Sequence, residues 1–264
     1  MQGSLIVFSL MLMLGVQRWL AAASVTAPYS INFSSLAAGD TAIPNVTETP
    51  SGNWTITADH KYSMSANTTG DPFSLPSQRS AALNITNLAG RDFEMSTRFS
   101  LAQFPANPPS GYVAAIGLGA FSDSSNFFAI GNPRYHLMLL LTATSSGPAG
   151  RLNLVESGNG GSFDVTSTSL LPIVPGDTYD LTLGGHFQAG QLDLTGVGGD
   201  GENTIAVSAS DLSPRTGGWF GLSGIAFDGN AVLTANFSQL AIIPEPSAAI
   251  LALLPAAYFL RRRA

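Results

Sequence analysis

Four acidic residues are the first candidates for catalytic chemistry, because paired carboxylates carry out acid–base and nucleophilic steps. Asp92 and Glu94 are two residues apart, so they would share one face of an extended strand. They stand at the start of that strand, directly after Arg91, which favours solvated edge charges. Glu156 and Asp193 are each isolated in the sequence. We therefore predict no catalytic residue, and an enzyme of unrecognised type remains the alternative.

No short motif of a common active site is present: the sequence lacks a Gly-x-Ser-x-Gly elbow, a His-Glu-x-x-His pair and a phosphate-binding loop before a helix. The glycine-rich run 196–201 lies between strand-like segments, so it predicts a hairpin.

Metal ligands are also sparse. The chain has no cysteine and only three histidines, which excludes zinc sites built on thiolates. Two turns are rich in side-chain oxygen atoms: Asp123, Ser124, Ser125 and Asn126 form one, and Asp200, Glu202 and Asn203 form the other. Calcium takes about six to eight oxygens, more than either turn supplies, and Asx turns explain both. We predict no metal or cofactor, with calcium as the alternative left open.

The elements that must position these residues are strands. Short segments alternate apolar with polar residues and end at Gly, Pro, Asn or Asp, without helical periodicity. Ala189-Gly190 and the run 228–230 predict hairpin turns between them. The predicted strands are 29–36, 53–58, 80–86, 93–101, 112–121, 135–142, 151–156, 178–187, 191–195, 204–208, 220–227 and 231–242. This spacing predicts an all-β, two-sheet sandwich.

Composition excludes one class of partner. The chain carries 17 acidic and 11 basic residues, for a net charge of -6, and Lys61 is its single lysine. Binding to nucleic acid needs basic residues that displace counterions from phosphates. We therefore predict no nucleic-acid partner.

Both ends predict export. Residues 5–16 form an apolar core of signal-peptide length, and Ala21-Ala22-Ala23 offers small residues for cleavage, so residues 1–23 are predicted to be a signal peptide. At the other end, Pro244-Glu245-Pro246 precedes an apolar run, and Arg261, Arg262 and Arg263 follow that run.

This order of parts resembles the PEP-CTERM sorting tail of bacterial surface and exopolysaccharide-associated proteins. The resemblance implies that residues 244–264 are recognised and cleaved at the triplet by an exosortase-type membrane enzyme, with the arginines as the stop signal. The apolar run, residues 247–260, is shorter than the roughly 20 residues of a spanning helix and contains Pro255. A transient membrane insertion and a lasting anchor therefore both stay open.

The segment between the two ends, residues 27–243, resembles the concanavalin A-like jelly roll of laminin-G-type modules, legume-type lectins and many glucanases. The resemblance rests on patterns in the strand-like segments: Ile31-Asn32-Phe33, residues 92–99, 111–118, 135–140 and 175–183, and the closing pair at 221–225 and 235–240. The Glu-x-Asp-x-x-Glu motif of the glucanases is absent.

If a domain of this fold binds carbohydrate, exposed aromatic rings on a sheet face or its loops should stack on the sugars. The candidate ligand-binding residues are Trp219, Tyr135, His136 and Trp54, with Phe127, Phe128 and His186 as further rings. Trp219 lies among glycines and is the least strand-like of them. Each ring has the alternative of being an ordinary core residue.

We expect a non-catalytic module of the cell envelope, cell surface or extracellular matrix that binds polysaccharide. A glycoside hydrolase or lyase with an unrecognised motif is one alternative, and a purely structural matrix protein is another. Carboxylates clustered across strands would favour the enzyme, and exposed aromatics would favour the binding module.

Overall fold

The structure is a computed structural model that describes residues 24–50, 52–67, 77–103, 112–158, 161, 163–227 and 232–245. The predicted signal peptide, the predicted hairpin at 228–230 and the tail from Pro246 onward, including its apolar segment and Arg261, Arg262 and Arg263, lie outside the described residues. Across the described ranges, no helix combines the length and apolar character needed to span a membrane.

The described chain is all-β, as predicted. Its sixteen strands are β1 (Tyr29–Asn32), β2 (Thr47–Thr49), β3 (Trp54–Ile56), β4 (Tyr62–Asn67), β5 (Ser77–Asn84), β6 (Phe93–Gln103), β7 (Tyr112–Ser122), β8 (Arg134–Thr144), β9 (Gly147–Ser157), β10 (Asp164–Thr166), β11 (Leu171–Pro172), β12 (Thr178–Gln188), β13 (Gln191–Gly199), β14 (Thr204–Asp211), β15 (Trp219–Ala226) and β16 (Val232–Pro244).

The strands form two eight-stranded antiparallel sheets. The first sheet has the order β14-β13-β12-β6-β16-β4-β3, and β1 also pairs with β16. The second sheet has the order β10-β9-β8-β7-β15-β5-β2, and β11 also pairs with β9. The first and last strands of the domain are therefore neighbours, and the two sheets pack face to face around one core.

The core between the sheets is rich in aromatic rings. Phe93 of the first sheet meets Phe121 and Phe220 of the second sheet in edge-on contacts, with ring centroids 5.2 and 6.1 Å apart. Trp54 stacks on Tyr62 at 4.7 Å. These side chains are fully buried, and the core they form takes the place of disulfides in a chain without cysteine.

The first sheet has one buried and one open face. Along β6, Phe93, Met95, Phe99 and other odd-numbered residues are buried, and the even-numbered residues such as Arg98 reach solvent. β12 and β13 repeat this alternation, and the turn between them uses Ala189 and Gly190, both with positive φ. The predicted hairpin at Ala189-Gly190 is confirmed.

The second sheet differs because its centre is buried on both faces. Every residue of β15 after Trp219 is buried, and so is every described side chain of β7. The connection between β7 and β8, residues 123–133, lies across the outer face of this sheet. The Phe127 ring sits where a side chain on Gly119 would be, and the Phe127 N–H donates to Ser80 Oγ at 3.2 Å. We call residues 123–133 the covering segment.

All twelve predicted segments contain strands, but β2, β4, β10 and β11 were not predicted. The first predicted strand, 29–36, ends early, because Asn32 Oδ1 accepts a hydrogen bond from the Ser34 N–H and starts a short 3₁₀ helix, Phe33–Ser35. Three of the four missed strands are only two or three residues long, too short to show a period of two.

Candidate functional site

A shallow pocket of about 300 Å³ opens on the solvent face of the first sheet. This volume is at the small end of the range for ligand sites, about 300–1,000 Å³. Six of its nine described lining residues have polar or charged side chains, and the lining comes from three strands and the end of a fourth: Glu94, Thr182, Gly184, Gly185, His186, Asp193, Thr195, Val197 and Glu245. We call this site the polar pocket.

Strand register brings these residues together from distant parts of the sequence. Glu94 of β6 pairs with Gly184 of β12, and Gly184 pairs in turn with Thr195 of β13. His186 and Asp193 are also direct partners, two residues further along the same two strands. Because side chains at alternate positions share a face, all of these groups point away from the core.

Two consecutive glycines form the floor, for different reasons. A Cβ on Gly184 would meet nothing closer than 3.9 Å, so the missing side chain leaves open space above the sheet. A Cβ on Gly185 would lie 2.1 Å from the ring of Phe93 on the core side. Gly184 therefore gives the polar pocket its depth, and Gly185 lets Phe93 pack beneath it.

His186 is held at one end of the pocket by Asp92. Its Nδ1 lies 2.7 Å from Asp92 Oδ2, and the other carboxylate oxygen accepts the Phe187 N–H at 2.7 Å. Asp92 is mostly shielded, whereas about half of the imidazole is exposed. The contact orients the His186 ring, which leaves Nε2 as the nitrogen that can meet a ligand.

Asp193 faces His186 from β13. Its Oδ1 accepts hydrogen bonds from Ser210 Oγ and Gln191 Nε2, both at 2.6 Å. The bond from Ser210, then that from Gln191 and the nearby His186, lower the pKa of Asp193 below its usual value. Asp193 is therefore ionised at neutral pH and accepts hydrogen bonds.

The last described residues close the pocket on one side. β16 ends at Pro244, which pairs with Phe93, and the next N–H, that of Glu245, donates to the Asp92 carbonyl at 3.0 Å. Glu245 also lines the polar pocket. Two residues of the predicted sorting triplet thus belong to the edge of the folded domain, while Pro246 lies outside the described residues.

The pocket can bind ligands through hydrogen bonds and negative charge. It offers the carboxylates of Glu94, Asp193 and Glu245, the hydroxyls of Thr182 and Thr195, and an imidazole. From the described part of the chain, neither lysine nor arginine lines it. No group of three or more His, Asp and Glu side chains able to hold a metal occurs among the described residues.

The expectation of exposed aromatic rings is wrong for three of the four candidate ligand-binding residues. Trp54, Tyr135 and His136 are all buried at 0–1% exposure. Trp54 and Tyr135 face the core, because their strands turn the aromatic positions inward. A sugar ring cannot stack on any of the three in this structure.

Tyr135 and His136 are instead parts of buried networks. The Tyr135 hydroxyl donates to Asp211 and accepts the Arg215 N–H at 2.9 Å, and burial, followed by the bond to Asp211, raises its pKa. His136 Nε2 lies 2.6 Å from Ser223 Oγ on the outer face of the second sheet. Burial, and then the charge of Arg134, lower the pKa of His136 to about 3.

Trp219 is partly exposed at the start of β15, so its binding role stays a prediction. The covering segment accounts for the other two rings: Phe127 is fully buried, and Phe128 lies against His136, with ring centroids 5.2 Å apart. Of the seven candidate rings, His186 is the one that lines the polar pocket.

The four carboxylates singled out by sequence have different environments. Glu94 and Asp193 share the polar pocket, and Asp92 stands behind it as the partner of His186. Glu156 is buried and lies 2.5 Å from Arg215 Nη2 in an ion pair. Reading Asp92 as a solvated edge charge was therefore wrong, because it accepts two hydrogen bonds at a mostly shielded position.

The oxygen-rich turns bond to their own backbone. Asp200 Oδ1 accepts the N–H groups of Glu202 and Asn203, and Asn126 Oδ1 accepts that of Phe128. This is the Asx-turn chemistry expected from the sequence.

The chain is similar to known proteins in its fold and not in its sequence. No protein-family model and no curated protein sequence matches the chain. A legume lectin-like domain from Entamoeba histolytica has a TM-score of 0.54 at 9% identity, over 85% of this chain and 100% of that chain. The exoplasmic/lumenal domain of VIP36, in a Ca2+/Man-bound form, has a TM-score of 0.52 at 12% identity, over 83% of this chain and 91% of that chain. Identities this low show the fold alone, and the chain is a two-sheet sandwich with the lectin-like, concanavalin A-like jelly-roll fold.

Proposed function

We propose that this protein is an exported module of the cell surface or matrix that binds polysaccharide without cleaving it. The observation that carries the proposal is the polar pocket on the uncovered face of the first sheet. Sugar hydroxyls donate and accept hydrogen bonds, and Asp193, Glu94 and the two threonines supply matching acceptors and hydroxyl groups. The lectin-like fold is compatible with this role but does not choose the ligand.

The shape of the site suits a chain better than an isolated small molecule. The pocket is shallow and lies on a sheet face, and its floor is the backbone around Gly184. A polymer can cross such a face with successive sugars, each making a few hydrogen bonds, so that weak contacts add up along the chain.

Export and sorting belong to the same proposal. The predicted signal peptide directs secretion, and the tail from Pro244 onward is the substrate of an exosortase-type enzyme, with membrane contact before processing. Since Pro244 ends β16 and the Glu245 N–H bonds to the Asp92 carbonyl, processing within the triplet would cut the chain where the last strand of the domain ends.

A second candidate function is a glycoside hydrolase or lyase. It is favoured by one observation, the gathering of Glu94, Asp193 and Glu245 around His186 from separate strands. A general acid needs a raised pKa, and the pKa of Asp193 is lowered by its hydrogen bonds, so Asp193 would have to serve as the nucleophile or base. Binding stays the leading proposal because the sequence carries no glucanase motif.

The test combines retention with product release. The full chain is incubated with matrix polysaccharide from its own host, and co-sedimentation and new chain ends, reducing or unsaturated, are both recorded. We expect retention without new ends. Gly184→Leu, which fills the open space above the floor, should weaken retention by about tenfold or more, since the pocket loses its depth.

Two variants serve as controls. Ala102→Leu adds the same side chain at an exposed position near the far end of β6, eight residues from Glu94, and should retain the polysaccharide like the unmodified chain. Trp219→Ala tests the partly exposed ring. If this variant loses retention of the polysaccharide and Gly184→Leu does not, the binding site lies on the second sheet and not at the polar pocket. New chain ends would establish the enzyme, and neither retention nor new ends would favour the structural matrix role.

A further inference from the structure

The charge of the polar pocket restricts which polysaccharide it can take. Three ionisable carboxylates, those of Glu94, Asp193 and Glu245, border one small volume. Among the lining residues that the structure describes, His186 is the single basic group, and its Nδ1 already meets a fourth carboxylate, that of Asp92, at 2.7 Å. The pocket is therefore electronegative whichever protonation state the imidazole adopts.

Positive charge elsewhere on the same face does not offset this. Arg98 lies on β6, four residues beyond Glu94 and therefore about 13 Å along the strand. Its guanidinium binds Asp180 through two hydrogen bonds, at 2.8 and 3.1 Å. A ligand in the polar pocket thus meets carboxylates without a free cation opposite them in the lining that the structure describes.

Asp193 is the carboxylate best prepared to receive a ligand. Both of its hydrogen bonds, from Ser210 and Gln191, reach Oδ1, so Oδ2 keeps its capacity to accept. These bonds also fix the orientation of the carboxylate, because Gln191 on β13 and Ser210 on β14 both bond to the same oxygen. A fixed, ionised acceptor binds an ammonium group more strongly than a neutral hydroxyl, since the opposite charges add Coulomb attraction to the charge-assisted hydrogen bond that either donor would make.

We infer that the polar pocket selects polysaccharides that carry free amino groups, such as de-N-acetylated hexosamine polymers, and rejects polymers of uronic acids. An ammonium group on the sugar would meet Asp193, the remaining hydroxyls would bind Thr182 and Thr195, and Glu94 would add negative charge from the other side of β12. A uronate would bring a carboxylate against three others, which is repulsive. The inference rests on the proposed function, because it names the ligand class of that same pocket.

The test uses the full chain and three oligosaccharide probes of matched length: β-1,4-linked glucosamine, its N-acetylated counterpart and an oligogalacturonate. Binding is measured by calorimetry at low and high salt. We expect the glucosamine oligomer to bind about tenfold or more tightly than the acetylated one, and the difference to shrink at high salt because ions screen it. The oligogalacturonate should not bind.

Asp193→Asn is the decisive variant. Asparagine keeps an Oδ1 that accepts from Ser210 and Gln191, so the fold is preserved while the charge is removed. Affinity for the glucosamine oligomer should fall by about three- to fivefold, the effect of one exposed charge pair, and affinity for the acetylated oligomer by less than about twofold. Glu94→Gln repeats the test at the carboxylate that β6 contributes to the pocket. Glu202→Gln, on the β13–β14 turn, changes net charge equally outside the pocket and should leave both affinities unchanged.

The outcomes separate the two claims. Equal binding of glucosamine and N-acetylated oligomers, or preferential binding of oligogalacturonate, would overturn the amino-sugar inference and leave polysaccharide binding standing. An equal loss in Glu202→Gln and Asp193→Asn would also overturn it, since the effect would then come from net charge alone. If none of the three probes binds, and the host polysaccharide is not retained either, the proposed function itself fails.

Discussion

The outer faces of the two sheets differ although the sheets have the same number of strands. The first sheet turns threonines, carboxylates and a histidine toward solvent, and its polar pocket is open. The second sheet has small residues there, such as Gly119 and Ser223, and the covering segment fills the space with Phe127. The covering segment therefore decides which outer face is open to a ligand: it fills the outer face of the second sheet and leaves that of the first sheet exposed.

The difference also explains the two histidines. His136 is buried beneath the covering segment and bonds to Ser223, whereas His186 lies at the open pocket and bonds to Asp92. The same side chain thus serves as a neutral, packed group on one sheet and as a partly exposed polar group on the other. The comparison can be tested by disturbing one face at a time.

The largest effect is expected from removing the cover. Phe127→Ala deletes a fully buried ring that packs on Gly119, so the free energy of unfolding should fall by about 3–5 kcal/mol. Urea denaturation measures the change. Ile130→Ala, at a fully exposed position of the same segment, should change it by less than about 0.5 kcal/mol. Equal effects in the two variants would show that the segment does not pack on the sheet.

The sequence predicted strands better than it predicted which of their faces are open. Alternation along β6 and β12 identified the strands and the residues that share a face, because it depends on neighbours in the chain. It could not tell that both faces of β8 are covered, so Tyr135 and His136 were both misplaced at the surface. Their burial depends on the core on one side and on the covering segment on the other.

The polar pocket could be predicted only in part. The sequence identifies Glu94, as a neighbour of Asp92, and Asp193 and His186 as separate candidates, but it does not predict that the three lie together. Their meeting depends on the register between β6, β12 and β13, which joins residues about a hundred positions apart and leaves no local pattern. The consecutive glycines before His186 were the available signal, because an outward glycine in a strand marks space above the sheet.

The pocket floor gives the second prediction, in which neighbouring glycines respond in opposite directions. Gly185→Ala brings a Cβ within 2.1 Å of the Phe93 ring, so the free energy of unfolding should fall by about 1–3 kcal/mol. Gly184→Ala meets nothing within 3.9 Å and should raise it by about 0.5–1 kcal/mol, because glycine is less favourable than alanine in a strand. Thermal or urea unfolding of the pair measures both. If Gly184→Ala lowers the free energy of unfolding as much as Gly185→Ala does, the solvent face of the first sheet is not open at Gly184.

The smallest effect concerns the histidine under the cover. His136 has a pKa of about 3 in the folded protein, against about 6.5 in the unfolded chain. The pKa of this base is lowered on folding, so stability is lost as pH falls: below about 6.5 the unfolded state binds a proton that the folded state does not. Between pH 6.5 and 5.5 the free energy of unfolding should therefore drop by about 1 kcal/mol through His136.

Unfolding at a series of pH values isolates this contribution by difference. His136→Gln should lose about 1 kcal/mol less than the unmodified chain over that interval, whatever its absolute stability, because glutamine does not titrate. If His136→Gln leaves the pH dependence unchanged, the imidazole must titrate alike in both states. It would then not be sealed from water, and the contrast between the covered and the open sheet would weaken.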